Sequence, residues 1–335
     1  MVPVRWGVLG TASIAIRQVI PAMHASACCN VMAIASRDYA KAHATATALG
    51  IPRAYGSYDS LLEDNDIEAV YIPLPNHLHV PWTLRAAERG KHVLCEKPLA
   101  LNAAEAESLS SVRKRTGVQI AEAFMVRTHP QWVDAMRMVR SGRIGGLHLI
   151  NAHFSYFRRD PGDVRSRPDW GGGVLLDIGC YPITMSRWMF GEEPLEVVAD
   201  LGFDPVFGVD RIGSAILRFP SGQATFTIAG QLALHQTFQL FGSKGRISFD
   251  IPFNPPSSQP ARLTVDDGRD LTGGGAEMLS YEPVNQFTLQ ATQFSEAIRG
   301  RGAVAVPLED AVRNMRVLDA LFRSAHSRRW ESLAS

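Results

Sequence analysis

Along this chain the spacing of apolar and polar positions changes once, near residue 123, and the change marks two kinds of architecture. Before it, short and almost uninterrupted apolar runs at Val4–Leu9, Val31–Ala35, Ala69–Pro75, His92–Glu96 and Val118–Glu122 alternate with segments of helical spacing. The helical segments follow the first run through Ile16, Val19, Ile20 and Met23, then cover Tyr39–Leu49, Ser60–Glu63, Asn76–Arg89 and Leu101–Arg115. A strand with no polar face must be covered on both sides, as in a parallel sheet flanked by helices. Residues 1–123 are therefore expected to form an α/β, Rossmann-type doubly wound parallel sheet.

After Glu122 the period shortens to two. A helix over Pro130–Ser141 leads into a strand over Leu147–Phe157, and alternating segments follow from Leu195. Arg211–Phe219 joins Gln223–Leu234 through Pro220-Ser221-Gly222, and Thr237–Phe241 joins Arg246–Phe249 through Gly242–Gly245; both pairs read as antiparallel hairpins. Residues 124–335 are expected to form an α+β domain around a large, mainly antiparallel open sheet, one face on helices and the other available to a second subunit. Asn254–Gly275, rich in Pro, Ser and Gly, reads as a mobile loop, and two helices over Gln286–Arg299 and Leu308–Ser327 close the chain.

Charge and cysteine content remove several partners. Thirty-four basic against 33 acidic residues leave a formal charge of +1, with no run of one sign, so nucleic acid is not an expected partner. Cys28, Cys29, Cys95 and Cys180 lie in apolar surroundings and read as reduced, buried thiols. No apolar stretch approaches the roughly 20 residues of a membrane span, and Pro3 and Arg5 lead straight into a strand where an export leader would stand. A cytoplasmic protein is expected.

Three stretches carry candidate chemistry. The first strand ends in Gly10-Thr11-Ala12-Ser13-Ile14-Ala15, a strand-turn-helix opening of dinucleotide-binding type whose helix amino terminus suits a pyrophosphate. Ala12 departs from the glycine expected at the second position. The second strand ends in Ser36-Arg37-Asp38, about 20 residues or slightly more past that turn, where the cofactor ribose is read. A hydroxyl followed by a guanidinium suits a 2′-phosphate, so NADP(H) is favoured; Asp38 keeps NAD(H) open. Pro73 and Leu74 at the end of the third run, with Asn76 and His79 just after it, are placed against the cofactor, whereas His77-Leu78-His79 lacks further ligands at suitable spacing and no metal is expected.

Glu96-Lys97-Pro98 leaves a buried strand at its carboxyl end, the functional edge of a parallel sheet, and Pro98 restricts Lys97 to an extended conformation. The third stretch, Trp170-Gly-Gly-Gly-Val-Leu-Leu-Asp-Ile-Gly-Cys-Tyr-Pro182, sets Asp177 and Tyr181 on one helix face, with a kink or helix start expected near Pro182. A free phenol, with pKa about 10, is too weak an acid at neutral pH, but a neighbouring ammonium favours its anion. Lys97, Asp177 and Tyr181 thus make a workable proton-transfer set.

Together, in order and at familiar separations, these motifs resemble the Gfo/Idh/MocA oxidoreductase family over nearly the whole chain. Tyr181, where many members have histidine, is similar to the branch that includes glucose-fructose oxidoreductase, NADP-dependent xylose dehydrogenase, dihydrodiol dehydrogenase and nucleotide-sugar ketoreductases. The resemblance implies that Lys97, before a cis Pro98, lies by the nicotinamide, that Tyr181 is the catalytic acid or base, and that Asp177 hydrogen-bonds in the same cluster. It also implies Arg127 and Arg165 near the substrate, to which Trp170 is added, and a homodimer or homotetramer formed through the second-domain sheet. The activity expected is hydride transfer between NADP(H) and a small sugar-like polyol, with aldose oxidation ahead of ketosugar reduction and dihydrodiol oxidation. A non-catalytic NADP-binding regulator is the reading from a different class.

Overall fold

A computed structural model describes residues 2–333. The described residues form two compact units, one of residues 2–128 with 285–312 and one of residues 129–284 with 313–333.

The first unit is built on β1 (Val4–Leu9), β2 (Cys29–Ala35), β3 (Arg53–Tyr55), β4 (Ala69–Ile72), β5 (His92–Glu96) and β6 (Ile120–Ala123) in the order β3-β2-β1-β4-β5-β6, every pair parallel. The order reverses between β1 and β4, so the ends of β1, β2, β4 and β5 open onto a common edge where ligands of such sheets bind. Its helices have sequence-encoded ends: Asp38 caps Tyr39–Leu49, Asn102 caps Ala103–Thr116, and Gly50 and Gly117 close them in left-handed conformation.

The 123/124 boundary leaves one segment on the wrong side. The helix Gln286–Ile298, read with the second domain, packs in the first unit. Phe294 lies against Trp6 with ring centroids 5.6 Å apart, Trp6 Nε1 donates to Ser295 Oγ at 3.2 Å, and Thr288 Oγ1 donates to the Ala22 carbonyl at 3.0 Å. Trp6 is fully buried and needs both an apolar cover and an acceptor for its indole N–H. That helix supplies both.

The second unit carries β7 (Leu147–Phe157), β8 (Glu196–Phe203), β9 (Asp210–Arg218), β10 (Gln223–Ala229), β11 (Gln231–Gly242), β12 (Gly245–Phe249), β13 (Ala261–Asp266), β14 (Ala276–Tyr281) and the short β15 (Glu331–Ser332). They form one sheet ordered β14-β13-β12-β11-β7-β10-β9-β8-β15, antiparallel except where β7 runs parallel to β10. Its inner face is aromatic: Phe238 and Phe249 pack on Trp132 of the helix Pro130–Arg140, and Phe154 and Phe238 on Phe253 just after β12. The expected loop over Asn254–Gly275 is broken by β13, which pairs on both sides and buries Leu263 and Val265. Its flanks are turn-rich, but Leu263 and Val265 alternate with Arg262 and Thr264 at the period of a strand, and that pattern wins.

Candidate active site

In the first unit the candidate residues gather at the strand ends. Gly10 closes β1 with φ +120°, and a Cβ there would come within 3.0 Å of Leu74 Cδ2, so the turn needs glycine for conformation and for space. The helical segment that opens at Ser13 has no acidic residue in its first turns, which leaves its positive end suited to a phosphate. Thr11, Ala12 and Ile14 are half-buried and Ser13 is exposed. These residues fit a dinucleotide's pyrophosphate.

At the end of β2, Ser36 is buried and its Oγ accepts from Asp38 N at 3.2 Å, while Arg37 is exposed. Asp38 Oδ1 accepts from Lys41 N at 3.2 Å as the cap of the following helix. Pro73 and Leu74 are buried at the exit of β4, and Asn76 opens the 3-10 turn Asn76–Leu78 without capping it.

His79 is buried between two backbone carbonyls at the strand exits. It is fully buried, with Nδ1 2.7 Å from the Pro98 carbonyl and Nε2 2.6 Å from that of Leu74, so it ties the exit of β4 to the turn after β5. Burial pushes its imidazole down, to about 4, against the two carbonyls. The same turn is held from its other sides. Tyr71 donates to Glu96 Oε1 at 2.7 Å, and Leu99 N donates to Glu122 Oε1 at 2.8 Å. Lys97, half-buried, stands between these anchors, and its bond to Pro98 is cis. Arg127 is ion-paired with Asp310 at 3.1 Å, both largely buried.

In the second unit the triple-glycine stretch runs into a π-helical turn, Leu175–Gly179, that continues as the helix Cys180–Phe190. Asp177 lies on the first segment and Tyr181 on the second. Asp177 Oδ2 accepts from Arg165 Nε at 2.6 Å and from the Tyr156 hydroxyl at 2.7 Å. The Asp177 charge beside it raises the Arg165 guanidinium above its already high range. Tyr181 is 5% exposed, its ring 5.3 Å from that of Phe253 and 5.8 Å from that of Phe154. Trp170 ends the 3-10 turn Pro168–Trp170, with the Arg167 guanidinium 4.9 Å over its ring.

The sequence pattern matches an oxidoreductase family model with an NAD-binding Rossmann fold over residues 4–124, and the GFO/IDH/MocA C-terminal domain over residues 132–248. The chain belongs to the Gfo/Idh/MocA family. It is an oxidoreductase of a sugar-related, NAD(P)-dependent group. ORF334, an uncharacterized oxidoreductase of Rhizobium meliloti, is 48% identical over 98% of this chain and 99% of its own. D-xylose 1-dehydrogenase (NADP(+)) 2 of Haloferax volcanii is 38% identical over 96% and 97%. The solved structure of KijD10, a 3-ketoreductase from Actinomadura kijaniata in complex with NADP and TDP-benzene, superposes with a TM-score of 0.89 at 33% identity, covering 96% of this chain and 98% of that one.

Tyr71, Tyr156 and Asp210 escaped the sequence reading. Tyr71 lies within a continuous apolar run and Tyr156 in an alternating strand, where each reads as an ordinary core aromatic. Asp210 had one signal: a carboxylate at a strand start between Val209 and Arg211, 3% exposed in the structure, with its Oδ2 accepting from Leu175 N at 2.6 Å. Among the described residues no helix is long and apolar enough to cross a membrane, and no group of three or more His, Cys, Asp or Glu residues is arranged to hold a metal.

Proposed function

We propose that this oxidoreductase uses NADP(H) and oxidises an aldose at its anomeric carbon, with Tyr181 exchanging the hydroxyl proton and Lys97 tuning it. The cofactor half is carried by one observation. At the end of β2 the exposed Arg37 stands next to Ser36, a guanidinium and a hydroxyl that suit a 2′-phosphate, while Asp38 Oδ1 caps the helix Tyr39–Leu49.

A bound NADP+ would supply the hydride acceptor for the anomeric C–H. Tyr181 takes the proton of the C1 hydroxyl as the C–O bond becomes a carbonyl, giving a lactone, and passes that proton to water. Lys97 favours the phenolate that makes this possible. Asp177, held by Arg165 and Tyr156, presents a fixed carboxylate one turn before Tyr181. Arg127 and Arg165 are each compensated by a buried or half-buried aspartate, which supports a neutral sugar over a substrate carrying a diphosphate. The similarity to an NADP-linked xylose dehydrogenase points the same way. Reduction of a ketosugar is the second reading, favoured by the likeness to the 3-ketoreductase. Copies are further inferred to associate through the outer sheet face, where Asn151, His153, Ser214, Thr225 and Thr227 line an open groove.

The test is fluorescence titration with NADPH and NADH on wild type and Arg37→Ala, followed by D-xylose, D-glucose and D-arabinose with NADP+. Tight NADPH binding that weakens in the variant, and aldose turnover abolished in Tyr181→Phe and Lys97→Ala, support the reading. Equal binding of NADH with no effect of Arg37→Ala removes the 2′-phosphate assignment.

A further inference from the structure

The geometry points to Asp210 as a positioning residue that, from the start of β9, fixes the helix carrying Asp177 and Tyr181 and so sets where the Tyr181 phenol stands. This rests on the role proposed for Tyr181.

A helix begins with N–H groups that its own turns cannot satisfy. Here the residue at the helix start, Val174, offers no side-chain cap. The cap arrives instead from a strand 35 residues later. Asp210 Oδ2 accepts from Leu175 N at 2.6 Å. Gly173 makes room for it, because with φ +104° a Cβ at this position would stand 1.9 Å from Asp210 Oδ1. Two of the glycines that distinguish this stretch thus acquire separate tasks. Gly173 admits the carboxylate along the helix axis, and Gly179 lets the helix settle onto the sheet, since its Cβ would meet Ile228 Cδ1 of β10 at 2.9 Å.

Tyr181 stands two residues beyond Gly179, with its ring against Phe154 of β7 and Phe253. The helix is therefore fixed at its end by Asp210 and across its width by Gly179. Loss of the first anchor lets it slide along the second. A displacement of about 1 Å at a proton-transferring group costs on the order of a hundredfold in rate. The charged groups sharing the small cavity around Asp210 are Arg165 and Arg158 before the helix and Arg211 beside it on β9, and the Asp177 carboxylate faces it from the helix.

The experiment compares Asp210→Ala and Asp210→Asn with wild type, without any ligand. Amide hydrogen exchange over residues 174–181 should quicken by about tenfold in the alanine variant and stay within about threefold of wild type in the asparagine variant, which keeps an acceptor. Exchange over 39–49 should not change. With ring-labelled 13C-tyrosine, the Tyr181 resonance, assigned by its loss in Tyr181→Phe, should move in the alanine variant and move less in the asparagine variant. Unchanged exchange over 174–181 overturns the proposal, and so does faster exchange with a stationary Tyr181 resonance, which makes Asp210 merely structural.

If the alanine variant does not fold, Asp210→Asn alone decides. Its Leu175 amide proton should shift upfield as the bond to a charged acceptor is lost, and an unshifted resonance overturns the proposal. With NADP+ and D-xylose, Asp210→Ala should lower kcat by about tenfold or more and KM by no more than about twofold. A wild type that oxidises no aldose removes the functional reading while the exchange and resonance measurements still judge Asp210.

Discussion

Tyr71 on β4 and Glu96 on β5 meet across one strand spacing of the parallel sheet, phenol to Oε1 at 2.7 Å. Tyr71 is fully buried, and its hydroxyl reaches past the end of its own strand to the turn that presents Lys97. Replacing it with phenylalanine keeps the ring and removes the donor. Tyr71→Phe is expected to cost about 1.5–3 kcal/mol in denaturant unfolding, the range for a hydrogen bond to a charged group. It should also lower kcat through Lys97 while leaving NADPH affinity near wild type. A variant equal to wild type in both would show that Glu96 needs no anchor.

The opposite anchor of that turn is His79, and its environment gives it a pH signature. Burial lowers its pKa from 6.5 to about 4. A histidine whose folded pKa lies below its unfolded one contributes stability that is complete above pH 6.5 and is lost as pH falls towards 4, because the unfolded chain takes up the proton first. The loss from this group is on the order of 3 kcal/mol across that window. His79→Gln should lose less stability than wild type between pH 7 and pH 4.5 while being less stable at pH 7. His129, also lowered to about 4 by burial, adds a parallel loss in the second unit. Chemical denaturation of the His79 and His129 variants at the two pH values separates the contributions.

Much of this arrangement was legible in the residue pattern, for identifiable reasons. β1, β4 and β5 are continuous apolar runs because both faces of a parallel sheet are covered, and Gly10 and Pro98 mark backbone requirements that only those residues meet. Side-chain partnerships across long sequence separations were not legible. Arg127 and Arg165 read as cations facing a substrate, but Asp310 lies 183 residues from the first, and Asp177 clamps the second together with a tyrosine of β7. Nothing in local spacing states that β7 turns Tyr156 towards the helix, or that the first residue of β9 caps it. The helix Gln286–Ile298 went to the wrong unit for the same reason. Its apolar stripe was plain, and its partner, Trp6, lies at the other end of the chain.

The Asp177 clamp makes a direct prediction. Arg165→Ala removes the 2.6 Å bond and the positive charge beside a carboxylate that is 12% exposed, leaving Tyr156 as the remaining partner of these two. Because Arg165 itself is partly exposed, the stability cost should be modest, about 1–2 kcal/mol. The catalytic cost should be larger, about tenfold or more in kcat, since the carboxylate would swing out of position. Arg165→Lys should recover the charge but not the directional bond, and so restore stability better than turnover. A lysine variant with full kcat would mean that charge alone is what Asp177 requires.

Asp210 carries the mirror image of the histidine effect. Burial, reinforced by the Asp177 charge, raises its pKa from 3.8 to about 6, against the backbone N–H bonds that lower it. An acid whose folded pKa is raised favours the protonated folded state, so its contribution is fully present below pH 3.8 and is lost as pH rises through 6. That loss is about 3 kcal/mol, the free energy of keeping the capping carboxylate charged in a buried site shared with Asp177. Asp210→Asn has no such term. Its stability relative to wild type is therefore expected to improve by roughly this amount between pH 4 and pH 7.5. At the same time its helix cap should be weaker at the higher pH, because a neutral amide oxygen accepts less strongly than a carboxylate. Denaturant unfolding of the two proteins across that range is the measurement, and a constant difference would mean that Asp210 titrates normally and that arginines 158, 165 and 211 offset its burial.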